Sequence, residues 1–383
     1  MINTVDELEK IYGKKITELS DIDWHNISRD LILSDPLINE FKHKLCWEIV
    51  SWRQILSEEL IREFQHEVNW LYISRCQKLS KKFICEFEHR VNWHNISRHQ
   101  KLSEKFIRKF KNKVVWFNIS MYQKLSEEFI REFKKKVYWY NISQYQTLSE
   151  GFIREFKYSI NWENISTYQM LSKKFIREFE YSVNWNCVSI YQILSEKFIR
   201  KFKDNVNWEK ISAHQNLSEE FIREFEHLVK WEKISAHQKL SPAFMSEFSS
   251  KIDPEAVKYN WLNKPLCEKK ELVEQYYEII NIGGIDYVKC YKAVRDDYSS
   301  IHSPRTHKYD DPLKMYETKC DYYSNNENSY GFGCWTYENA IKFAKNSILK
   351  EYRIITVICP IEKICVLENG KIRAEQMKIH GMS

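Results

Sequence analysis

The last hundred residues of this 383-residue chain contain side chains whose types could support metal chemistry. Four of them are ligands that zinc accepts in tetrahedral sites: His302, His307, Cys320 and Cys334. Their spacing matches no compact zinc-binding motif. Cys290, Cys359 and Cys365 lie instead in apolar segments and are predicted to be core residues of strands. The sequence therefore predicts no metal site and no cofactor.

A second group of residues in the same region could form a catalytic site. Arg295 follows a predicted strand, and Thr336 precedes a predicted helix. Glu368 and Glu375 follow further along the chain. This order resembles the arginine, Ser-Thr-Ser and glutamate layout of ADP-ribosyltransferases. The resemblance implies that Arg295 would bind the pyrophosphate of NAD and that a glutamate, Glu375, would orient the nicotinamide ribose.

An enzyme of the ADP-ribosyltransferase type is the alternative to a non-enzymatic protein. The Glu-x-Glu pair of the transferases is absent, and Thr336 also suits the N-cap of the helix that follows it. The chain has no Gly-rich phosphate loop, no His-Glu-x-x-His motif and no nucleophile elbow. The sequence therefore favours a protein without catalytic activity.

The elements that would position these residues form a predicted small α+β domain. The predicted strands cover 286–294, 331–335 and 353–359, with a hairpin of 364–367 and 372 onward around Asn369-Gly370. A helix is predicted after Thr336, and a long loop for 296–329. A connecting helix is predicted for 265–280, and Gly283-Gly284 are predicted to end it.

The region before this domain is a tandem repeat. Ten tryptophans occur in one register, 23 residues apart: Trp24, Trp47, Trp70, Trp93, Trp116, Trp139, Trp162, Trp185, Trp208 and Trp231. A fixed period of this length is typical of repeat arrays, in which stacking between neighbours supplies the stability that one copy lacks.

Each copy contains the pattern of two short helices. In the copy that begins at Trp93, Asn92 and Ser103 are predicted N-caps, and Phe106 and Ile107 lie on the apolar face of the second helix. The periodic tryptophans are expected to be buried. Glu-Arg pairs such as Glu104/Arg108 have i,i+4 spacing and are predicted to mark a solvated face. The fold predicted is mainly α: an α-solenoid of ten helical hairpins, followed by the small α+β domain.

A row of rings is the candidate binding surface. Six positions after the tryptophans of the later copies stand His99, Tyr122, Tyr145, Tyr168, Tyr191, His214 and His237. Such rings could line a groove for a partner helix or peptide, or each could stack on the next as part of the packing between repeats. Arg53 and Cys76 occupy the same position in earlier copies. Ser97 and Gln100, with their equivalents in nearly every repeat, could form a polar recognition row. The sequence favours the other role, in which the glutamine is buried and satisfies backbone groups of adjoining turns.

Composition limits the partner and the compartment. The net charge of +6 is distributed over 112 charged side chains, which is too weak and too mixed to favour nucleic acid. No apolar run is long enough to span a membrane, and the N-terminus lacks a signal-peptide core. Ten scattered cysteines are typical of reduced thiols. We expect a cytoplasmic protein with a protein or peptide partner.

Both regions resemble families of viral proteins. The repeat pattern Trp-x-x-Ile-Ser-x-x-Gln-x-Leu-Ser-x-x-Phe-Ile-Arg-x-Phe, seen from Trp139 to Phe156, resembles tandem repeats of Mimivirus-like giant viruses and of some phages. Segments 289–293, 331–340 and 371–374 resemble a viral and bacterial domain often appended to pentapeptide-repeat proteins. The resemblance implies a viral protein acting in the host cytoplasm, here as a protein-interaction scaffold.

These patterns divide the chain into four predicted parts. Residues 1–20 form an N-terminal helical cap and 21–253 the repeat array. Residues 254–284 form a linker with the connecting helix, and 285–383 the small α+β domain. The sequence does not predict an oligomeric state.

Overall fold

The computed structural model describes residues 1–294, 315–317, 332–346, 352–366, 371–374 and 376–382. The chain is mainly helical, with 23-residue helical hairpins followed by a small domain built on antiparallel sheets, so the predicted fold class is confirmed. It divides into two compact units, residues 1–169 and 170–383. The three boundaries between the four predicted parts stay predictions. Among the described helices, none combines the length and apolar character that crossing a membrane requires.

The first unit is a succession of short helix pairs. Its α-helices are Val5–Tyr12, Asp21–Asp30, Asp35–Glu40, Trp47–Arg53, Glu58–Glu63, Trp70–Cys76, Lys81–Glu86, Trp93–His99, Glu104–Lys109, Trp116–Tyr122, Glu127–Glu132, Trp139–Tyr145, Glu150–Glu155 and Trp162–Tyr168, with a 3-10 turn at Ile16–Glu18. We call the helix that carries each periodic tryptophan a Trp helix. The helix that follows each N-cap serine of the 23-residue period, such as Ser103, is called a Ser helix. Successive Trp helices of this unit contact one another.

The helix starts are set by the predicted caps. Ser103 Oγ accepts a hydrogen bond from the backbone N–H of Phe106 at 3.3 Å, and Asn92 Oδ1 accepts one from Asn95 at 2.9 Å. Where Val115 or Tyr138 replaces the asparagine, no side chain caps the Trp helix. Both predicted cap positions are therefore confirmed, and the asparagine cap is dispensable because packing stabilises the helix.

The apolar core runs between the two helix layers. Ile96 and Ile107 are completely buried, and Phe106 is nearly so. Trp93 is only half-buried: its ring centre lies 4.8 Å from that of Phe110, while its indole N–H donates to the carbonyl of Glu88 at 2.9 Å. Of the ten periodic tryptophans, Trp24 alone is buried. The expectation of ten buried indoles was wrong, because the indole N–H reaches a carbonyl at the edge of the core.

One glutamine per repeat joins that repeat to the preceding one. Gln100 Nε2 donates to the carbonyls of Ser74 at 3.1 Å and Gln77 at 2.7 Å, and Gln100 Oε1 accepts from the Leu79 N–H at 3.2 Å. The same three contacts are made in this unit by Gln54, Gln77, Gln123, Gln146 and Gln169. All these side chains are buried. The predicted structural role of the glutamine is confirmed.

A serine and an asparagine complete the contact between Trp helices. Ser120 Oγ donates to the Trp116 carbonyl at 2.8 Å and accepts from the backbone N–H of Tyr138, at the start of the next Trp helix, at 3.0 Å. Asn118 Nδ2 donates to the His94 carbonyl of the preceding repeat at 3.0 Å. These bonds satisfy backbone groups that helices this short leave without partners at their ends.

The Ser helices are joined by ion pairs. Arg108 contacts Glu104 at 3.7 Å, as the i,i+4 spacing predicts, but its Nε also donates to Glu132 of the next repeat at 2.7 Å. Glu104 Oε1 in turn accepts from the backbone N–H of Ser126 at 2.7 Å. This face is therefore more than a solvated surface, because its charges connect neighbouring repeats.

The second unit begins with further helix pairs. Its α-helices are Lys173–Glu178, Trp185–Tyr191, Glu196–Lys201, Trp208–His214, Glu219–Glu224, Trp231–His237, Pro242–Glu247, Pro254–Tyr259, Leu266–Glu274 and Tyr337–Asn346, with 3-10 turns at Trp261–Asn263 and Ile361–Lys363. Gln215 and Gln238 bind the preceding repeat as in the first unit.

The array continues for one helix beyond the point where its sequence pattern stops. The helix Pro254–Tyr259 contacts the Trp helix Trp231–His237, although Pro254 stands where an eleventh tryptophan would be. Asn260 Nδ2 donates to the carbonyls of Ser235 at 3.1 Å and Gln238 at 2.8 Å, and Asn263 Oδ1 accepts from the Leu240 N–H at 3.0 Å. Two asparagines therefore replace the missing glutamine.

The C-terminal domain contains two antiparallel sheets. The strands are β1 Glu278–Ile282, β2 Ile285–Val294, β3 Met315–Glu317, β4 Phe332–Cys334, β5 Arg353–Pro360, β6 Ile364–Val366, β7 Ile372–Ala374 and β8 Gln376–Met382. The orders are β1-β2-β5-β8-β3 and β4-β7-β6. The structure confirms the predicted strands 286–294 and 353–359 and the described parts of the predicted strand 331–335. It also confirms that 364–366 pairs with the segment from 372. Gly331, Leu367 and Asn369-Gly370 lie outside the described residues.

Three features of this domain differ from the prediction. The connecting helix ends at Glu274, and residues 278–280 belong to β1, which pairs with β2 in a hairpin. Gly283 and Gly284 have φ values of 61° and 84°, as a tight hairpin turn requires, so they close a hairpin and do not end a helix. The strands β3 and β8 were not predicted; β3 lies inside the segment predicted as a loop.

Replacing Gln123 with Ala tests the glutamine contact. The change would leave the Leu102 N–H and the carbonyls of Ser97 and Gln100 without the amide that binds them, so we expect a local loss of about 2–4 kcal/mol. Hydrogen exchange of the Leu102 amide should accelerate roughly 30-fold to 1000-fold. Gln144→Ala, a change of the same chemistry at a half-exposed position, is the control. Equal exchange in both variants would contradict the proposed role.

Candidate functional site

The predicted row of rings is divided between the two units. Of its members in the first unit, His99, Tyr122 and Tyr168 are exposed, and Tyr145 is half-buried. In the second unit Tyr191 is exposed, whereas His214 and His237 are half-buried with their ring centres 6.4 Å apart. The histidine pair fits the alternative in which rings pack between repeats. Ligand binding by these seven residues stays a prediction.

Cations lie beside the rings of the first unit. The Arg98 guanidinium is 5.0 Å from the ring centre of Tyr122, a cation–π distance. Partial burial, together with the charges of Arg98 and Arg75, lowers the pKa of His99 to about 4. His99 is therefore neutral at pH 7 and contributes an aromatic ring instead of a charge.

The basic character of this surface was missed in the sequence. Segments 69–79, 92–102, 115–125 and 138–148, each comprising a Trp helix and its flanks, contain no Asp or Glu. They contain five exposed cations: Arg75, Lys78, Arg98, Lys101 and Lys124. We call the exposed side chains of these four segments the Trp-helix face. The overall charge of +6 concealed this face because the Ser helices hold many of the carboxylates.

Apolar side chains share the Trp-helix face with these cations. Leu71, Phe117 and Tyr140 occupy the same position in three repeats and are each about half exposed, at 47%, 46% and 58%. Tyr138 is 52% exposed, and its ring meets that of Phe117 edge-on at 5.5 Å. Large exposed apolar side chains that recur on one face are typical of interaction surfaces.

Of the residues in the ADP-ribosyltransferase-like layout, the structure describes only Thr336. Thr336 Oγ1 accepts from the backbone N–H of Asn339 at 3.4 Å, and the Thr336 carbonyl accepts from Ala340 at 2.9 Å. Thr336 thus caps the helix Tyr337–Asn346, as its alternative role predicted. Arg295, Glu368 and Glu375 lie outside the described residues, so their part of the layout stays a prediction.

Three cysteines of the C-terminal domain form a buried cluster. The Sγ atoms of Cys290, Cys334 and Cys359 all lie within 4.8 Å of one another, and the Cys290–Cys359 separation is 3.9 Å. Cys334 Sγ lies 3.9 Å from Met377 Sδ. Cys290, Cys359 and Cys365 are core residues, as predicted. Cys334 was considered with His302, His307 and Cys320 for zinc, but those three residues lie outside the described part of the chain.

The strand arrangement explains how distant cysteines meet. Cys290 on β2 and Cys359 on β5 belong to neighbouring strands, two residues apart in register. Trp335, directly after β4, exchanges backbone hydrogen bonds of 2.8 and 2.9 Å with Tyr291 of β2. This bridge brings Cys334 beside Cys290, and no sequence spacing could have indicated it.

The three thiols have different acidities. Hydrogen bonds from Cys290 and Cys359 lower the pKa of Cys334, and the nearby charge of Lys292 acts in the same direction. Burial raises the pKa of Cys290. The hydrogen bond with Cys290 lowers the pKa of Cys359, but the hydrogen bond with Cys334 and burial outweigh it, so the pKa of Cys359 is raised. Lys292 is itself buried, and its Nζ donates to the Gly333 carbonyl at 2.9 Å.

The His99 environment predicts a pH dependence. A histidine in the unfolded chain titrates near pH 6.5, whereas folding lowers the pKa of His99 to about 4. Between these values the unfolded state binds more protons, so the free energy of unfolding should fall as the pH decreases from 6.5 towards 4. His99→Gln should lose less stability over this range in urea titrations. The control is His94→Gln, on the same helix; equal pH dependence in the native chain and His99→Gln would exclude the effect.

Comparison of the chain with protein-family models, with curated proteins and with solved structures found no match.

Proposed function

We propose that this chain is a non-enzymatic protein-interaction scaffold and that its Trp-helix face binds a partner. The observation that carries the proposal is the segregation of charge in four consecutive repeats of the first unit. Five exposed cations and several exposed apolar side chains share a face whose four segments contain no carboxylate. Short helices held by stacked neighbours present such a face as a rigid surface, which reduces the entropy cost of binding.

The partner that fits this face is an extended acidic peptide segment with apolar side chains. Arg75, Lys78, Arg98, Lys101 and Lys124 would attract its carboxylates. Phe117, Tyr138 and Tyr140 would contact its apolar side chains, since aromatic residues anchor interfaces well. Four Trp helices about 8–10 Å apart cover a distance that roughly eight or nine extended residues would cross.

Nucleic acid fits the same face less well. The cations number about one per repeat on average, and none stands in segment 138–148, where the exposed apolar rings are densest. A nucleic-acid strand carries a charge on every phosphate, about every 3.4 Å in duplex geometry, so most phosphates would remain without a cation. Short acidic peptides match the observed alternation of charge and apolar surface more closely.

The biological setting is also a proposal. The likeness of the repeat and of the C-terminal segments to viral proteins supports a viral origin and action in the host cytoplasm. The cysteines of the described residues have no disulfide partner, which agrees with a reducing compartment. In this setting the partner of the Trp-helix face would be an acidic segment of a host protein.

Binding of a labelled acidic peptide to the full chain tests the proposal. A fluorescein-labelled peptide of alternating glutamate and leucine should bind in an anisotropy titration, and raising the salt concentration should weaken the complex. The double variant Arg75→Glu with Arg98→Glu should weaken binding by at least about tenfold, a loss of 1.4 kcal/mol.

The matched control makes the same charge change on the Ser helices. Lys82→Glu with Lys105→Glu replaces two exposed cations there and should retain the affinity within about threefold. Absence of peptide binding would overturn the proposal. Equal losses in the two double variants, or tighter binding of labelled oligouridylate than of the peptide, would overturn it as well.

A further inference from the structure

The thiol cluster of the C-terminal domain has the geometry of a metal site. Two sulfur ligands at about 2.3 Å from one zinc ion, in tetrahedral geometry, stand roughly 3.8 Å apart. Cys290 Sγ and Cys359 Sγ are 3.9 Å apart, and Cys334 Sγ lies within 4.8 Å of both. A disulfide would need about 2.05 Å between sulfurs, and three thiols cannot all pair.

The cluster lies in the packed core of the C-terminal domain. The three cysteines are completely buried, and they come from β2, β4 and β5. Val288, Val357 and Ile355 of the same two longer strands are also completely buried, so the sulfurs are enclosed by packed apolar side chains. A preorganised, dry set of three soft ligands is suited to a thiophilic ion.

Charge favours a divalent thiophilic ion such as zinc over a monovalent one. Three thiolates carry three negative charges, and one divalent ion leaves a single negative charge in a buried place. Lys292 supplies one positive charge nearby and is fixed at the Gly333 carbonyl, next to Cys334. The total is then neutral, whereas a monovalent copper ion would leave one uncompensated buried charge, which is costly.

We propose that Cys290, Cys334 and Cys359 bind a structural zinc ion as thiolates, with the Met377 thioether facing the fourth position. Met377 is completely buried, and its sulfur lies 3.9 Å from that of Cys334. Binding releases the thiol protons and forms no new bond between protein atoms. The ion ties β4 to the β2–β5 pair, so it fastens the smaller sheet to the larger one. This site is independent of the proposed peptide-binding face.

Metal analysis of the purified full chain tests this site. We expect about one zinc ion per chain by mass spectrometry after purification in reducing buffer without chelator. Replacement of zinc by Co²⁺ should produce the thiolate-to-cobalt charge-transfer band and the ligand-field bands of a tetrahedral site. Cys334→Ser and Cys359→Ser should each lower the bound zinc at least tenfold.

Cys365→Ser is the matched control. Cys365 is equally buried in the same domain, but it lies on β6 beside Arg373, whose Nη2 is 3.7 Å from its sulfur, and it does not belong to the cluster. This variant should retain the zinc. Should the cluster variants fail to fold, titration of the native chain with a mercurial should release one zinc ion, and this release should follow modification of the more accessible thiols such as Cys267.

Three results would overturn the assignment. The first is a native chain that contains no zinc and develops no charge-transfer band with Co²⁺, which would make the thiols ordinary small core side chains. The second is full zinc content in Cys334→Ser. The third is recovery of copper in place of zinc.

Discussion

The contact on which the array depends is a side-chain amide that binds the backbone of the preceding repeat. Each buried glutamine offers two donors and an acceptor to the turn that lies 21 to 26 residues before it in the sequence. Helices of six or seven residues leave many terminal N–H and C=O groups without partners. In a dry interface these groups would each carry a desolvation penalty, and the amide removes three of them at once. Apolar stacking between repeats is possible only because this polar requirement is met.

The regularity of the repeat is the reason that so much of its structure was predictable. Ser103 and Asn92 have cap-forming side chains at the right distance from an apolar stripe, and local geometry of this kind needs no knowledge of the rest of the chain. The half-exposed indole of Trp93 was mispredicted because hydrophobicity indicates burial without revealing where the N–H will find an acceptor. The link from Arg108 to Glu132 was missed for a related reason, since i,i+4 pairing explained the same residues within one helix.

The structure of the C-terminal domain was less predictable from the sequence than that of the repeat. The strand containing Cys290 was predictable from its apolar residues, but the neighbours of that strand were not, because pairing between β2, β5 and β8 joins residues that are far apart in sequence. The cluster of Cys290, Cys334 and Cys359 arises from this pairing and from the bridge between Tyr291 and Trp335. The Trp-helix face could have been recognised in the sequence, by asking where carboxylates are missing instead of summing charge over the whole chain.

The glutamine contact also has a consequence for how such a gene can change in length. Gln123 binds backbone groups of the preceding 23-residue repeat. If one whole copy were lost, the equivalent backbone groups of the next copy back would lie at the same amide. Loss or gain of any other number of residues would misplace every donor and acceptor at the junction. Recombination between copies of the coding sequence would therefore yield foldable products in whole-repeat steps, and the number of copies can evolve while the interface between them stays constant.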